Sequence, residues 1–124
     1  MFQQHDVHEL CRILLDSIEQ SYAVAGQEGK AVREIYEGKQ CSFVRCDECG
    51  YVSKSVDTFM DLSLPVKNSP DIGGTNDTLE AALETYLRPE RLVGDNQYWC
   101  SRCEKKVNAT KGLELDTLSD ILTL

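Results

Sequence analysis

Two closely spaced cysteine pairs are the part of this sequence best suited to chemistry, and they account for four of its six cysteines. The first pair is Cys46 and Cys49, and the second pair is Cys100 and Cys103. A C-x-x-C turn holds two thiolates on one side of a tight loop, and two such turns complete a tetrahedral sulfur site for zinc. Gly50 follows the first pair, where a chain leaving such a turn often needs a positive φ. The spacing therefore predicts one structural Zn²⁺ ion bound by all four thiolates.

Three other interpretations of the pairs remain open. An even number of cysteines also suits the disulfide framework of a secreted protein, but residues 1–6 lack the basic-then-apolar pattern of a signal peptide. A thioredoxin-type redox site would be a single C-x-x-C that opens a helix, whereas two copies lie in polar turns here. The pairs could also belong to a zinc site that has lost its metal.

The separation of the pairs constrains the fold that must join them. Residues 50–99 lie between the pairs, a longer insert than the roughly 15–20 residues of a compact zinc ribbon. We therefore expect the two turns to lie at the tips of neighbouring hairpins. Of the two remaining cysteines, Cys11 is expected to be a small buried side chain of a helix, and Cys41 a strand residue.

Composition narrows the class of protein. The chain has 124 residues, 41% of them hydrophobic, which predicts one soluble domain with a modest core. Its net charge of −8 argues against nucleic-acid binding, since nucleic-acid binders need clustered cations. No apolar run approaches the roughly 18–20 residues that span a bilayer, so we expect no membrane association.

The first half of the chain alternates between helical and strand patterns. Residues 7–18 carry apolar side chains at helical spacing, with Asp6 as the N-cap. A short helical turn is expected over 32–36 and a strand over 41–45. Period-two alternation over 52–64 predicts a long, half-exposed strand that Pro65 ends.

The second half repeats the scheme of helix and hairpin. A helix is expected over 79–87, with Asp77 and Glu80 in its capping box and Pro89 at its end. A strand is expected to lead into the second cysteine pair, and apolar residues alternate in the segment that follows the pair. Residues 121–124 are expected to begin a buried strand. The fold class is therefore α+β. The opening on a capped helix and the apolar end predict that both ends are cut.

Several motifs together resemble the ubiquitin-specific proteases, a family of thiol-dependent deubiquitinases. The motifs occur in the order found in that family and span essentially the whole chain. They are Gln4-His5-Asp6-Val7-His8-Glu9-Leu10, the cysteine turn with Gly50, Asp57-Thr58-Phe59-Met60-Asp61-Leu62-Ser63-Leu64-Pro65, Leu79-Glu80-Ala81-Ala82-Leu83, Asn96-Gln97-Tyr98-Trp99-Cys100-Ser101-Arg102-Cys103, and Ala109-Thr110-Lys111-Gly112-Leu113.

The resemblance implies a papain-like thumb, palm and fingers domain with two zinc knuckles on β-hairpin tips, of which this chain would be the middle part. The implied division is a helical segment (1–37), two fingers hairpins (38–66 and 95–116), a loop and helix (67–94), and the start of a palm strand (117–124). The family removes ubiquitin by hydrolysing the isopeptide bond at the C-terminus of ubiquitin. Its nucleophile and histidine boxes have no counterpart in the sequence, so no catalytic residue is expected here and the chain alone should be inactive.

The resemblance also implies which residues recognise ubiquitin. In the family, the matching helix start helps to hold the Arg- and Gly-rich tail of ubiquitin, and the resemblance assigns this role to Gln4, Asp6 and Glu9. Asp16 and Glu19 extend the acidic side of the helix and are expected to contact a basic surface of ubiquitin. Two carboxylates three residues apart suit a guanidinium, although Asp6 can also be a plain N-cap and an acidic helix face is often only solvated. The expected partners are ubiquitin and ubiquitinated proteins.

Three hypotheses follow from these features. The first is a fragment of a deubiquitinase, the second a catalytically inactive zinc-binding ubiquitin-recognition module, and the third a zinc-ribbon scaffold unrelated to ubiquitin. Free thiols with zinc suggest the cytoplasm or the nucleus. The aromatic side chains of Tyr51, Tyr98 and Trp99 could contact ubiquitin, but they are expected to pack beneath the knuckles.

Overall fold

The computed structural model describes residues 6–26, 30–66 and 75–124. Within these residues the chain is a mixture of helices and antiparallel strands, which confirms the α+β class. The helices are α1 (Val7–Val24), α2 (Ala31–Tyr36) and α3 (Leu79–Leu87), with one 3₁₀ turn at Gly94–Asn96. The strands are β1 (Gly38–Cys46), β2 (Val52–Phe59), β3 (Glu90–Leu92), β4 (Tyr98–Cys100), β5 (Lys105–Val107) and β6 (Ala109–Thr117).

The two sheets meet at the cysteine turns. The larger sheet has the strand order β2-β1-β6-β3, and β4 and β5 form a separate two-stranded sheet. Strand β1 lies in the middle and pairs antiparallel with β2 on one side and with β6 on the other. Its last residue, Cys46, lies opposite Ala109, the first residue of β6. Since β5 ends at Val107, this register places both cysteine turns at one end of the molecule.

Helix α1 begins as expected but differs from the prediction in its burial. It continues to Val24, no residue of it is buried, and Cys11 is exposed rather than buried. The apolar side of α1 lines an open groove of about 1060 Å³, whose other side includes the segment from Met60 to Val66. The periodicity of a helix shows which face is apolar, but it does not show whether a neighbour covers that face.

The predicted strand over 52–64 is too long, because β2 ends at Phe59. Phe59 pairs with Gly38, which is the first residue of β1, so the residues beyond it have no partner strand. The strand expected over 121–124 also does not form. The chain makes only isolated backbone bonds there, from the Ile121 N–H to the Ile35 carbonyl (2.9 Å) and from the Leu62 N–H to the Thr123 carbonyl (3.0 Å).

Helix α3 forms where it is expected but uses a different cap. The N-cap is Thr78, whose hydroxyl oxygen accepts a hydrogen bond from the Ala81 N–H at 3.2 Å. The capping box assigned to Asp77 and Glu80 therefore does not form, because the cap lies one residue later and the third helical residue is Ala81. The helix is anchored to β1 by the Tyr86 hydroxyl, which lies 3.0 Å from Gln40 Oε1. Among the described residues, no helix is both long enough and apolar enough to cross a membrane.

Candidate metal centre

The four paired cysteines converge on one point. The sulfur atoms of Cys46, Cys49, Cys100 and Cys103 all lie within 4.8 Å of one another. Cys46 Sγ lies 3.8 Å from Cys103 Sγ, and Cys49 Sγ lies 3.6 Å from Cys100 Sγ. A tetrahedron with Zn–S bonds of about 2.3 Å has S···S edges of about 3.8 Å. The donor type and the spacing therefore fit a tetrahedral metal ion of the size and softness of zinc.

The cysteines also form the core of this end of the molecule. Cys46 and Cys100 are completely buried, and with Val107 they make a small cluster against which Tyr51 and Tyr98 pack. The packing expected for these two tyrosines is confirmed.

The packing expected for Trp99 is wrong, because its side chain is 60% exposed. Trp99 lies between Tyr98 and Cys100 in β4, and successive strand residues point to opposite faces. Its side chain therefore faces away from the sulfur cluster.

The two cysteine turns share one backbone conformation. The residue after each pair has a positive φ, 69° at Gly50 and 51° at Glu104. Its N–H donates to the carbonyl of the first cysteine of the pair, over 3.1 Å to Cys46 and 2.8 Å to Cys100. The left-handed residue was predictable at Gly50 but not at position 104, where the sequence has a glutamate. At position 104 the only available signal was its place directly after the C-x-x-C pair, which is equivalent to the place of Gly50.

Opposite substitutions at the two left-handed positions should have unequal effects on stability. A side chain in the left-handed region costs about 1–2 kcal/mol. A Cβ at Gly50 would meet no atom within 4 Å, so Gly50→Ala should lower the free energy of unfolding by about 1 kcal/mol through backbone strain alone. Glu104→Gly should raise it or leave it unchanged. Chemical denaturation of the zinc-loaded chain measures both, and equal losses in the two variants would contradict the shared conformation.

The thiols differ in how readily they lose a proton. Burial raises the pKa of Cys100, but hydrogen bonds from the backbone N–H groups of Cys103 and Arg102 and contacts with the thiols of Cys49 and Cys46 together lower it to about 7. The pKa of Cys103 is raised to about 12 by its hydrogen bond with the Cys49 thiol and by burial. A metal binds thiolates, so its binding must displace protons from this cluster, and metal affinity should fall as the pH falls.

The residues predicted to bind ubiquitin lie along α1, away from the sulfur cluster. Asp6 is the N-cap, and its Oδ1 accepts from the His8 N–H at 2.9 Å, while Glu9 is exposed in the first turn. Asp16 lines the groove beside α1. Glu19 Oε1 is engaged by Arg33 Nε at 2.8 Å. Gln4 lies outside the described residues.

One contact at the groove was missed by sequence reasoning. His8 Nε2 lies 2.7 Å from Asp61 Oδ1 and joins α1 to the segment after β2. Cys11 and His8 both line the groove, but no hydrogen bond joins them in the described part of the chain. No local pattern predicts the His8–Asp61 contact, since its two residues are far apart in sequence.

Comparison with known proteins identifies the family. The family model for ubiquitin carboxyl-terminal hydrolases matches residues 2–124. The chain belongs to this family. Human ubiquitin carboxyl-terminal hydrolase 47 is 40% identical over 125 residues, covering 99% of this chain and 9% of that protein. Yeast ubiquitin carboxyl-terminal hydrolase 15 is 35% identical over 123 residues, covering 99% of this chain and 9% of that protein.

Family membership confirms the resemblance to the ubiquitin-specific proteases seen in the sequence motifs. A more distant relative, ubiquitin carboxyl-terminal hydrolase 26 of Arabidopsis thaliana, is 33% identical over 124 residues, covering 97% of this chain and 11% of that protein. The chain therefore spans about a tenth of the length of the curated hydrolases that it matches.

Proposed function

We propose that this chain is the zinc-binding and ubiquitin-recognising part of a cysteine-type deubiquitinase that hydrolyses the isopeptide bond at the C-terminus of ubiquitin. The observation that carries the proposal is the convergence of four sulfur atoms from two distant turns in a member of the hydrolase family. In a thumb, palm and fingers arrangement, the hairpin β1–β2 and strands β4–β6 would be the fingers. The zinc ion would close their tips, since a metal that binds only the folded state stabilises it.

The proposal assigns bond cleavage to residues outside this chain. A thiol hydrolase needs a thiolate activated by a neighbouring base, usually a histidine. Four of the six cysteines belong to the sulfur cluster, and Cys41 is buried in β1. Cys11 is exposed but forms no hydrogen bond with an imidazole among the described residues. The nucleophile and its base would then come from the remainder of a longer protein, in a reducing compartment such as the cytoplasm or nucleus.

Recognition would use the start of α1. Asp6 and Glu9 are exposed carboxylates within one helical turn of each other, and paired carboxylates bind guanidinium groups with charge-assisted hydrogen bonds. The arginine-bearing tail of ubiquitin would supply those groups. Asp16 and Glu19 would extend the acidic surface, although Glu19 would first have to exchange or share its partner Arg33.

Neutralising the two carboxylates should weaken ubiquitin binding about tenfold, since a hydrogen bond to a charged group contributes about 1.5–3 kcal/mol. The variant Asp6→Asn with Glu9→Gln suits the test because asparagine remains a good N-cap and the helix should persist. A matched control, Glu80→Gln with Asp95→Asn, removes two exposed charges from elements other than α1. Titration of ¹⁵N-labelled ubiquitin followed by NMR measures the affinity.

Two results would contradict the proposal. The first is an affinity that falls equally in the variant and in the control, or that is unchanged when ubiquitin lacks its C-terminal tail. The second is cleavage of a ubiquitin fusion by the chain alone, because that would place the nucleophile within these residues.

A further inference from the structure

The two cysteine turns are related by a symmetry that extends beyond the sulfur atoms. We define the first knuckle as residues 46–51 and the second knuckle as residues 100–105. In each knuckle the first and fourth positions are cysteines, and the fifth has a positive φ. The first cysteine of each is completely buried. The sulfur contacts are reciprocal, because the first cysteine of each knuckle lies within 3.8 Å of the second cysteine of the other.

Side chains at the third and sixth positions follow the same reciprocal scheme. Glu48, at the third position of the first knuckle, has Oε2 2.7 Å from Nζ of Lys105, at the sixth position of the second. Arg102, at the third position of the second knuckle, has its guanidinium carbon 4.8 Å from the ring centre of Tyr51, at the sixth position of the first. One ion pair and one cation–π contact therefore link the knuckles independently of any metal.

Each contact places a cation of the second knuckle against a side chain of the first knuckle. A zinc ion bound by four thiolates carries a net charge of −2, so nearby cations stabilise it. Arg102 directly precedes Cys103 and Lys105 lies two residues after it, so both cations belong to the turn that carries two of the four sulfur atoms.

We propose that Arg102 and Lys105 are positioning residues of the metal centre, which hold the two knuckles in register and strengthen zinc retention. The inference rests on the zinc centre of the proposed function. Groups that orient metal ligands from outside the ligand shell typically change metal affinity by 10–100-fold when they are removed. An ion pair this exposed would have little effect on stability by itself, so its effect should be seen in metal binding.

The test is competition for zinc between the full chain and a chelator of known affinity. We expect Arg102→Gln with Lys105→Gln to bind zinc about tenfold more weakly than the parent. The matched control is Lys106→Gln, which removes a neighbouring charge on the opposite face of the same strand, across from Trp99. The control should bind zinc within twofold of the parent.

A charge swap separates positioning from a general effect on folding. Lys105→Glu places two carboxylates opposite each other and should weaken zinc binding, and adding Glu48→Lys should restore most of the loss. Parental affinity in the double glutamine variant, or no recovery in the swap, would overturn the inference and leave the zinc centre intact. Failure of the parent to bind zinc would overturn the zinc centre and the inference together.

Discussion

Cys100→Ser is expected to abolish stoichiometric zinc binding and to unfold the two-stranded sheet β4–β5. The sulfur of Cys100 is completely buried and lies 3.6 Å from that of Cys49. Among the described residues, the buried cluster around the sulfur atoms contains only one side chain besides the cysteines, that of Val107. An isolated two-stranded hairpin is at best marginally stable in water, and structural zinc contributes on the order of 10 kcal/mol to small metal-dependent folds. Loss of one ligand should therefore remove the metal and the sheet together.

Zinc content and amide hydrogen exchange measure this effect. The parent should contain one zinc per chain and show protected amides in β4 and β5, and the variant should show neither. Cys41→Ser is the matched control, because Cys41 is also buried but lies in β1 outside the cluster. The control should retain zinc. Equal zinc content in parent and Cys100→Ser would show that Cys100 is not a ligand.

Gly38→Ala is expected to destabilise the larger sheet by about 2–3 kcal/mol, because overpacking of this kind forces the backbone to shift. A Cβ at Gly38 would lie 2.8 Å from the Thr117 carbonyl oxygen and against the ring of Phe59. Phe59 is buried at the end of β2, and Thr117 ends β6. The start of β1 is therefore held closely by both of its neighbouring strands. Urea denaturation monitored by circular dichroism measures the change.

Gly112 provides a contrasting position in the same sheet. The three atoms nearest to a Cβ there all belong to the ring of the cross-strand residue Phe43, with Cε1 at 2.7 Å. Gly112→Ala should cost about 1–2 kcal/mol, and Phe43→Leu should remove most of that cost because the clash is with a side chain. Phe59→Leu should not rescue Gly38→Ala, since the clash with the Thr117 backbone remains. Rescue at both positions would contradict the close approach of β6 at Gly38.

The sequence predicted the features that depend on local pattern. The C-x-x-C pairs predicted the sulfur cluster, and alternating apolar residues predicted β6. The hairpin expected around the first pair predicted β1, and Thr78 was missed by only one position as the cap of α3. These features depend on residue types and spacing along short segments. Helical periodicity likewise placed the start of α1 correctly.

The features that failed depend on contacts between distant segments. The end of β2 is determined by where its partner β1 begins at Gly38, and no pattern within β2 itself shows that. Cys11 was expected to be buried because it belongs to an apolar stripe, but the groove beside it is open. The link between Glu48 and Lys105 depends on the approach of two knuckles that are far apart in sequence.

The central claim is that one zinc ion joins the two knuckles through four sulfur atoms. Zinc K-edge X-ray absorption of the purified chain tests it most directly, because the spectrum reports the type, number and distance of the ligand atoms. We expect four sulfur atoms at about 2.3 Å and no nitrogen or oxygen ligand. A first shell containing nitrogen or oxygen, or a chain purified and incubated with zinc that retains none, would contradict the claim.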